Sequence, residues 1–119
     1  MMLRWLFAAV LLLGPAASVA DTKLLMLEQP ACKWCELWDA EVGVIYAKTA
    51  EGKRAPLMRA DIFDPLPEGI ELSRRAQFTP TFILLRDGAE IGRIEGYPGE
   101  DFFYGMLQQL LSRAAEPES

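Results

Sequence analysis

The stretch "QPACKWCE", Gln29 to Glu36, holds both cysteines of the chain, two residues apart. A proline precedes the pair and helix-forming sequence follows it. Three chemistries fit: a structural staple, half of a metal site, or a reactive dithiol. A disulfide across so short a gap closes a very small loop, which constrains the unfolded chain least and makes a poor staple. Zinc usually takes four ligands, and the chain has no histidine to add to its two cysteines. A metal or cluster site would therefore need a second copy, and no metal or other cofactor is expected. The reactive dithiol is the reading the rest of the sequence has to support.

The ends of the chain give the compartment. Residues 1–20 carry one positive charge at Arg4, an apolar run from Trp5 to Gly14, and small residues at Ser18 and Ala20. That is the pattern of an export signal, with cleavage expected before Asp21. The apolar run is well short of the roughly 20 residues a membrane-spanning helix needs. No cysteine stands at the cleavage point, so no lipid anchor is expected. An exported, periplasmic chain meets oxidising conditions in which paired cysteines are the norm. A compartment that favours disulfides, and a spacing that gains little from one, together suggest a bond meant to open.

Without the leader 99 residues remain, enough for one small domain over 21–113, followed by a tail at 114–119 read as disordered. Arg4 leaves with the leader, so 11 Lys and Arg face 17 Asp and Glu, a net charge of −6. This balance, with no basic cluster larger than a pair such as Arg74-Arg75, argues against a nucleic-acid partner. The absence of histidine removes the commonest general base.

Working outward from the cysteines, "KLLMLE" (Lys23–Glu28) is a short apolar run bounded by a proline and reads as a buried strand. From Cys35 to about Ala50, the positions Cys35, Trp38, Val42, Ile45, Tyr46 and Thr49 step by three and four. They predict one face of a helix, ended by Gly52. "PLMRADIF" resumes an extended pattern, and "IELSRRAQF" (Ile70–Phe78) reads as a short helix stopping before Thr79-Pro80. "TFILL" (Thr81–Leu85) is a buried strand, Asp87-Gly88 a two-residue hairpin turn, and "AEIGRIE" the return strand. The final segment, Glu100 to about Arg113, sets Phe102, Phe103, Met106, Leu107, Leu110 and Leu111 on one helical stripe.

The predicted order is β-α-β-α-β-β-α, an α/β fold with a four-stranded mixed sheet. Strands joined through helices should lie parallel, so the first three are expected parallel and the hairpin strand antiparallel. Helices should then cover both faces. "CKWC" falls where the first strand hands over to the first helix, the end at which open α/β sheets do their chemistry. There Cys32 meets unpaired backbone N–H groups and the positive end of the helix dipole, with Lys33 adding a cation and Glu36 opposing it. The net effect should lower the thiol below its usual pKa of about 8.5 and favour the thiolate, the attacking species. Cys35, on the buried stripe, should be protected. Cys32 then attacks a partner disulfide, and Cys35 resolves the mixed disulfide. Trp34, between them, offers an apolar contact surface to a partner or packs over its own helix.

A strand, "CKWC" opening a helix, then "FTPTFILLRDGAEIGRIEG" before an amphipathic helix resembles the thioredoxin family over about residues 23–113. The resemblance implies a thioredoxin-like fold and a thiol–disulfide oxidoreductase. It implies that Pro80 is cis beside the dithiol and that Thr79 offers its backbone to a substrate chain. Two departures stand out. Lys33-Trp34 replaces the family's Gly-Pro, and Met26 stands where the family has a buried acid on the first strand. Glu28, near the end of that strand, is either a substitute for that acid through a water or a solvated strand-end acid.

The segment "EQPACKWCELW" further resembles small exported thioredoxins serving sulfur-oxidation or cytochrome c maturation systems. That likeness implies a monomer that reduces a cysteine-containing protein substrate and is recharged by a membrane electron donor. The chain has no room for the helical insertion of the disulfide-forming oxidants or the dimerisation domain of the isomerases. Two alternatives stay open. One is a redox-inert binding module with a structural disulfide. The other is a glutaredoxin-like, glutathione-dependent protein, for which "GYPGED" would supply the binding turn at a helix start.

Overall fold

The computed structural model describes residues 20–116. The expected leader, apart from Ala20, and residues 117–119 of the expected tail lie outside the described residues. The elements are β1 (Thr22–Glu28), α1 (Lys33–Trp38), a π-helical turn (Asp39–Gly43), α2 (Val44–Tyr46), α3 (Ala50–Arg54), β2 (Leu57–Asp61), β3 (Thr81–Arg86), β4 (Ala89–Glu95) and α4 (Glu100–Ala114). The four strands form one sheet in the order β2-β1-β3-β4. Its centre is apolar on both faces: Leu24 to Leu27 and Thr81 to Leu85 are all buried. Continuous apolar runs, rather than alternating ones, are what a strand covered on both sides requires.

β1 runs parallel to β2, with Leu24 opposite Leu57 and Glu28 opposite Asp61. It runs antiparallel to β3, with Leu27 opposite Thr81. The expectation of three parallel strands therefore fails at β3, and the cause lies in residues 62–80. No helix forms over Ile70–Phe78. The segment leaves β2 and re-enters at β3 from the same end of the sheet, so the strand it delivers has to be antiparallel. On the way it reaches the far end, where Glu71 bridges Ala89 and its N–H donates to the Gly88 carbonyl at 2.8 Å. The side chains it packs on the sheet, Ile70, Leu72 and Ala76, are spaced by two and four, which no helical stripe supplies.

Consequently the helices cover one face only. Leu24, Met26, Phe82, Leu84 and Ile94 face α1, the π turn, α2 and α4, while Leu25, Leu27, Ile83 and Leu85 lie under the irregular segment. On the helical face Trp38 wedges between Phe82 and Phe103, with ring centroids 5.1 and 5.8 Å away. Such aromatic pairs add about 0.5–1.5 kcal/mol each beyond the area they bury.

The first helical region is more broken than its periodicity suggests. It is buried along Cys35, Trp38, Val42 and Tyr46, but it passes through the π turn and ends at Tyr46. Thr49, read as part of the apolar stripe, instead caps α3 by accepting from the Gly52 N–H at 3.0 Å. Gly52, read as the terminator, sits inside α3, because a Cβ there would lie 1.8 Å from the Tyr46 carbonyl oxygen. The stripe on α4 is also narrower. Phe103, Leu107, Leu110 and Leu111 are buried, whereas Phe102 and Met106 are exposed. α4 ends at Ala114, so the first residue assigned to the tail is helical.

The Asp87-Gly88 hairpin forms as its sequence requires, with φ of 51° and 84°. Beyond it Leu85 pairs with Glu90 but Leu84 pairs with Gly92, which leaves Ile91 as a bulge. Residues three apart in a regular strand point to opposite faces; the extra residue brings Glu90 and Arg93 onto the same one. They pair at 2.7 Å with each side chain only 5% exposed. Glu90 also accepts from the Ser73 N–H at 3.0 Å, and Arg93 donates to the Arg74 carbonyl at 2.6 Å. This pair fastens the irregular segment to β4.

Hydrogen bonding from Arg93 holds the Glu90 carboxyl below its ordinary range. Stability from a carboxylate of lowered pKa is present above its unfolded value, about 4.3, and is lost as pH falls through the folded value. Glu90→Ala is expected to cost about 3 kcal/mol at pH 7, because Arg93 is left nearly buried without its partner. In urea unfolding the variant should lose less additional stability than the parent between pH 5 and pH 3.

Candidate active site

β1 ends at Glu28, and a turn through Pro30 and Ala31 leads into α1. Ala31 has φ of 60°, a left-handed conformation that costs a residue with a Cβ about 1–2 kcal/mol. The turn leaves Cys32 extended, at φ −87° and ψ 102°, as the N-cap of α1. Its Sγ accepts the Cys35 N–H at 3.1 Å, the place a serine or aspartate oxygen takes in an ordinary cap. The sulfur thus faces donors that favour negative charge. Cys32 and Cys35 form a disulfide, with Cα atoms 5.2 Å apart. Cys32 is the more accessible of the two, at 8% against 3%.

The sheet brings a second loop to the same place. With Leu27 opposite Thr81, the antiparallel register sets Gln29 opposite Thr79, and Gln29 Nε2 donates to Thr79 Oγ1 at 2.6 Å. The Thr79–Pro80 peptide bond is cis. Pro80 is buried, and its carbonyl accepts from the Gly96 N–H at 2.7 Å. Thr79 is half-buried, and its own N–H and C=O make no hydrogen bond among the described residues. An edge of this kind can take an added strand.

Comparison with protein-family models and with curated proteins returns no match. Among solved structures, the crystal structure of the reduced form of the periplasmic thioredoxin SoxS from Paracoccus pantotrophus is 52% identical. The alignment spans 79% of this chain and 99% of that one, with a TM-score of 0.78. The chain belongs to the thioredoxin family. It is a thiol–disulfide oxidoreductase, with the Cys32–Cys35 pair at disulfide distance. Thioredoxins act on cysteine-containing partner proteins.

Around the dithiol of this thioredoxin, the remaining expected residues are placed unevenly. Trp34 stands 59% exposed. Lys33 and Glu36 are exposed in the first turn of α1 and make no ion pair among the described residues. Glu28 is not a lone strand-end acid. Arg59 of β2 donates to it at 2.9 Å and to Asp39, at the start of the π turn, at 3.0 Å. These hydrogen bonds, from Glu28 first and then Asp39, hold the guanidinium above its ordinary pKa range. One cation thereby joins the end of β1 to the helix that carries Cys35.

Three residues of this neighbourhood escaped the sequence reading. Gln29 lies inside the opening stretch, yet nothing local shows that it reaches Thr79. Arg59 is a charge in an otherwise apolar strand, registered against Met26, and that anomaly was a usable signal. Tyr97, between two glycine turns, is buried in the same apolar cluster as both cysteines. Burial first, and then Glu41, pushes its pKa up to about 12.

Arg59→Met should leave Glu28 and Asp39 facing each other without a counter-ion. The loss is expected to be about 0.5–1 kcal/mol, since these groups are partly exposed and screened. Salt separates the cases: raising it should weaken the parent's ion pairs but relieve repulsion in the variant. Urea unfolding at low and high salt should therefore show the difference between the two proteins shrinking.

Proposed function

We propose that this thioredoxin works in the periplasm as a reductant of a partner protein's disulfide or mixed disulfide. Cys32 supplies the attacking thiolate and Cys35 resolves the product. The observation carrying this reading is the placement of Cys32 Sγ as the cap of α1, accepting the Cys35 N–H at 3.1 Å. A thiolate there gains both the hydrogen bond and the favourable end of the peptide dipoles. Lys33 adds to that effect and Glu36 offsets part of it. Glu28, held by Arg59, acts on the pair only as half of an ion pair.

The reaction runs in two exchanges. The Cys32 thiolate attacks one sulfur of the partner's disulfide, an S–S bond to Cys32 forms, and the partner's other sulfur leaves as thiolate and takes a proton. The Cys35 thiol then gives up its proton and attacks Cys32 Sγ, closing the Cys32–Cys35 disulfide and releasing the partner's second thiol. Two electrons pass from this protein to the partner. Thr79 and Pro80 hold the partner's chain in the meantime, and Trp34 offers it an apolar face. Because the periplasm is oxidising, a membrane electron donor has to restore the dithiol, and a monomer leaves the site open to both donor and partner.

The SoxS likeness and the export-signal pattern in the sequence of residues 1–20 support the compartment. A glutaredoxin-like reading finds less support, since Glu100 and Asp101 occupy the first turn of α4, where a glutathione carboxylate would have to sit. A redox titration of mature protein in defined thiol–disulfide buffers tests the direction. The expected midpoint is near or below about −220 mV. A midpoint above about −150 mV would make the protein an oxidant, and a pair still oxidised below about −300 mV would make it a binding module. Cys35→Ser should accumulate a mixed disulfide with a peptide disulfide, whereas Cys32→Ser should not.

A further inference from the structure

Of the two adjacent basic pairs in the sequence, Lys53-Arg54 and Arg74-Arg75, the second lies in the irregular segment just before Thr79, and the dithiol chemistry does not use it. The segment is firmly held there. Glu71 bridges Ala89, the Ser73 N–H binds Glu90, and Arg93 binds the Arg74 carbonyl. Arg74 pairs with Glu95 at 2.8 Å, so its charge is answered within the chain. Arg75 is exposed and makes no ion pair among the described residues.

Arg75 also stands where three depressions meet. One is a hollow of about 480 Å³ with an apolar floor that includes Leu27, Ile62, Phe63 and Ala76 and with Asp64, Arg74 and Arg75 in its wall. A second connects Arg75 and Gln77 to Gln29, the residue bonded to Thr79. The third runs past Phe78 toward Glu95. The surface around Arg75 therefore reaches Gln29, whose side chain bonds Thr79. Phe63 and Phe78, 75% and 56% exposed, flank it.

We infer that Arg75 is a specificity-determining residue that selects an extended partner segment carrying an acidic side chain close to the target cysteine. The inference rests on the reductive reading above. Charge complementarity supports it: on a mature chain of net charge −6, an unanswered cation beside this hollow, like Lys33 at the dithiol itself, is a place where an acidic segment can approach. Spacing sets the position. Arg75 lies four residues before Thr79, a separation of at most about 13 Å of chain. A segment added along this edge would therefore bring a residue roughly three to five positions from its cysteine beside the guanidinium.

The test uses mature, pre-reduced protein and short single-cysteine peptides oxidised to disulfide homodimers. Acidic, neutral and lysine residues are placed three to five positions to either side of the cysteine. In each turnover the peptide S–S bond breaks and the Cys32–Cys35 bond forms. Two electrons pass to the peptide sulfurs, which leave as two thiols carrying the protons. At low salt the acidic peptide should be consumed about fivefold or more faster than the neutral one, a preference that fades as salt rises. Arg75→Glu should reverse the order in favour of the lysine peptide, while Lys53→Glu, on α3, should keep the parent's order. Equal rates for all three peptides, or an unchanged order in Arg75→Glu, would overturn the inference. Failure on every peptide, the neutral one included, would overturn the reductive reading and this inference with it.

Discussion

The antiparallel pairing of β1 with β3 is the constraint on which this molecule depends. Leu24–Leu27 of the first strand and Thr81–Leu85 of the second are buried, so a slip of one residue would turn leucines and phenylalanine to the wrong faces. The register is thereby fixed by apolar contacts alone. It then decides where two loops emerge: Gln29 after β1 and Thr79 before β3 come out opposite each other and share a hydrogen bond. The dithiol follows three residues beyond the first loop, and the cis proline directly follows Thr79 in the second. Site geometry is in this sense a by-product of core packing, and no contact between the loops themselves would be strong enough to impose it.

Much of this was legible because the signals are local. The runs "KLLMLE" and "TFILL", the Asp87-Gly88 turn and the α4 stripe each depend on residues a few positions apart. The dithiol and its place at a helix start could be read for the same reason. What escaped depends on partners distant in sequence. Residues 62–78 contain apolar side chains and a plausible helix length, but their burial pattern is set by the sheet beneath them. Gly52 looked like a terminator because a glycine's neighbour in space, here the Tyr46 carbonyl, leaves no mark in the sequence. Arg59 bridges β1 and the π turn, and Gln29 reaches Thr79 across fifty residues. Phe102 and Met106 fit the helical stripe but not the narrow contact of α4 with β4. There Gly92 lets the helix so close that a Cβ would lie 2.5 Å from Leu110.

The two faces of the sheet are built by different physics. On the helical face, Trp38, Phe82 and Phe103 interlock and carry the packing from the dithiol helix to α4. Such a core tolerates little change in volume, which suits a helix that has to hold two sulfurs at bonding distance. On the other face, a non-helical segment is held by a few apolar anchors and one nearly buried ion pair made possible by a bulge. Its backbone polar groups are answered piecemeal: by Glu28 and Asp61 at its start, by Gly88, Glu90 and Arg93 in its middle, and by Thr81 Oγ1, which donates to the Phe78 carbonyl, at its end.

That irregular covering has an evolutionary consequence. A helix laid on a sheet must keep an apolar residue at every turn, so most substitutions along its inner stripe are felt by the core. The segment over 62–78 meets the sheet through Ile62, Ile70, Leu72 and Ala76, and the residues between these anchors face outward. Lineages can therefore rewrite the outward positions, or change the length between anchors, with little effect on the sheet or the reactivity of the sulfurs. On the reading of Arg75 given above, part of partner choice is written in this segment, apart from the sulfurs, while Trp34, Thr79 and Pro80 keep the rest beside them.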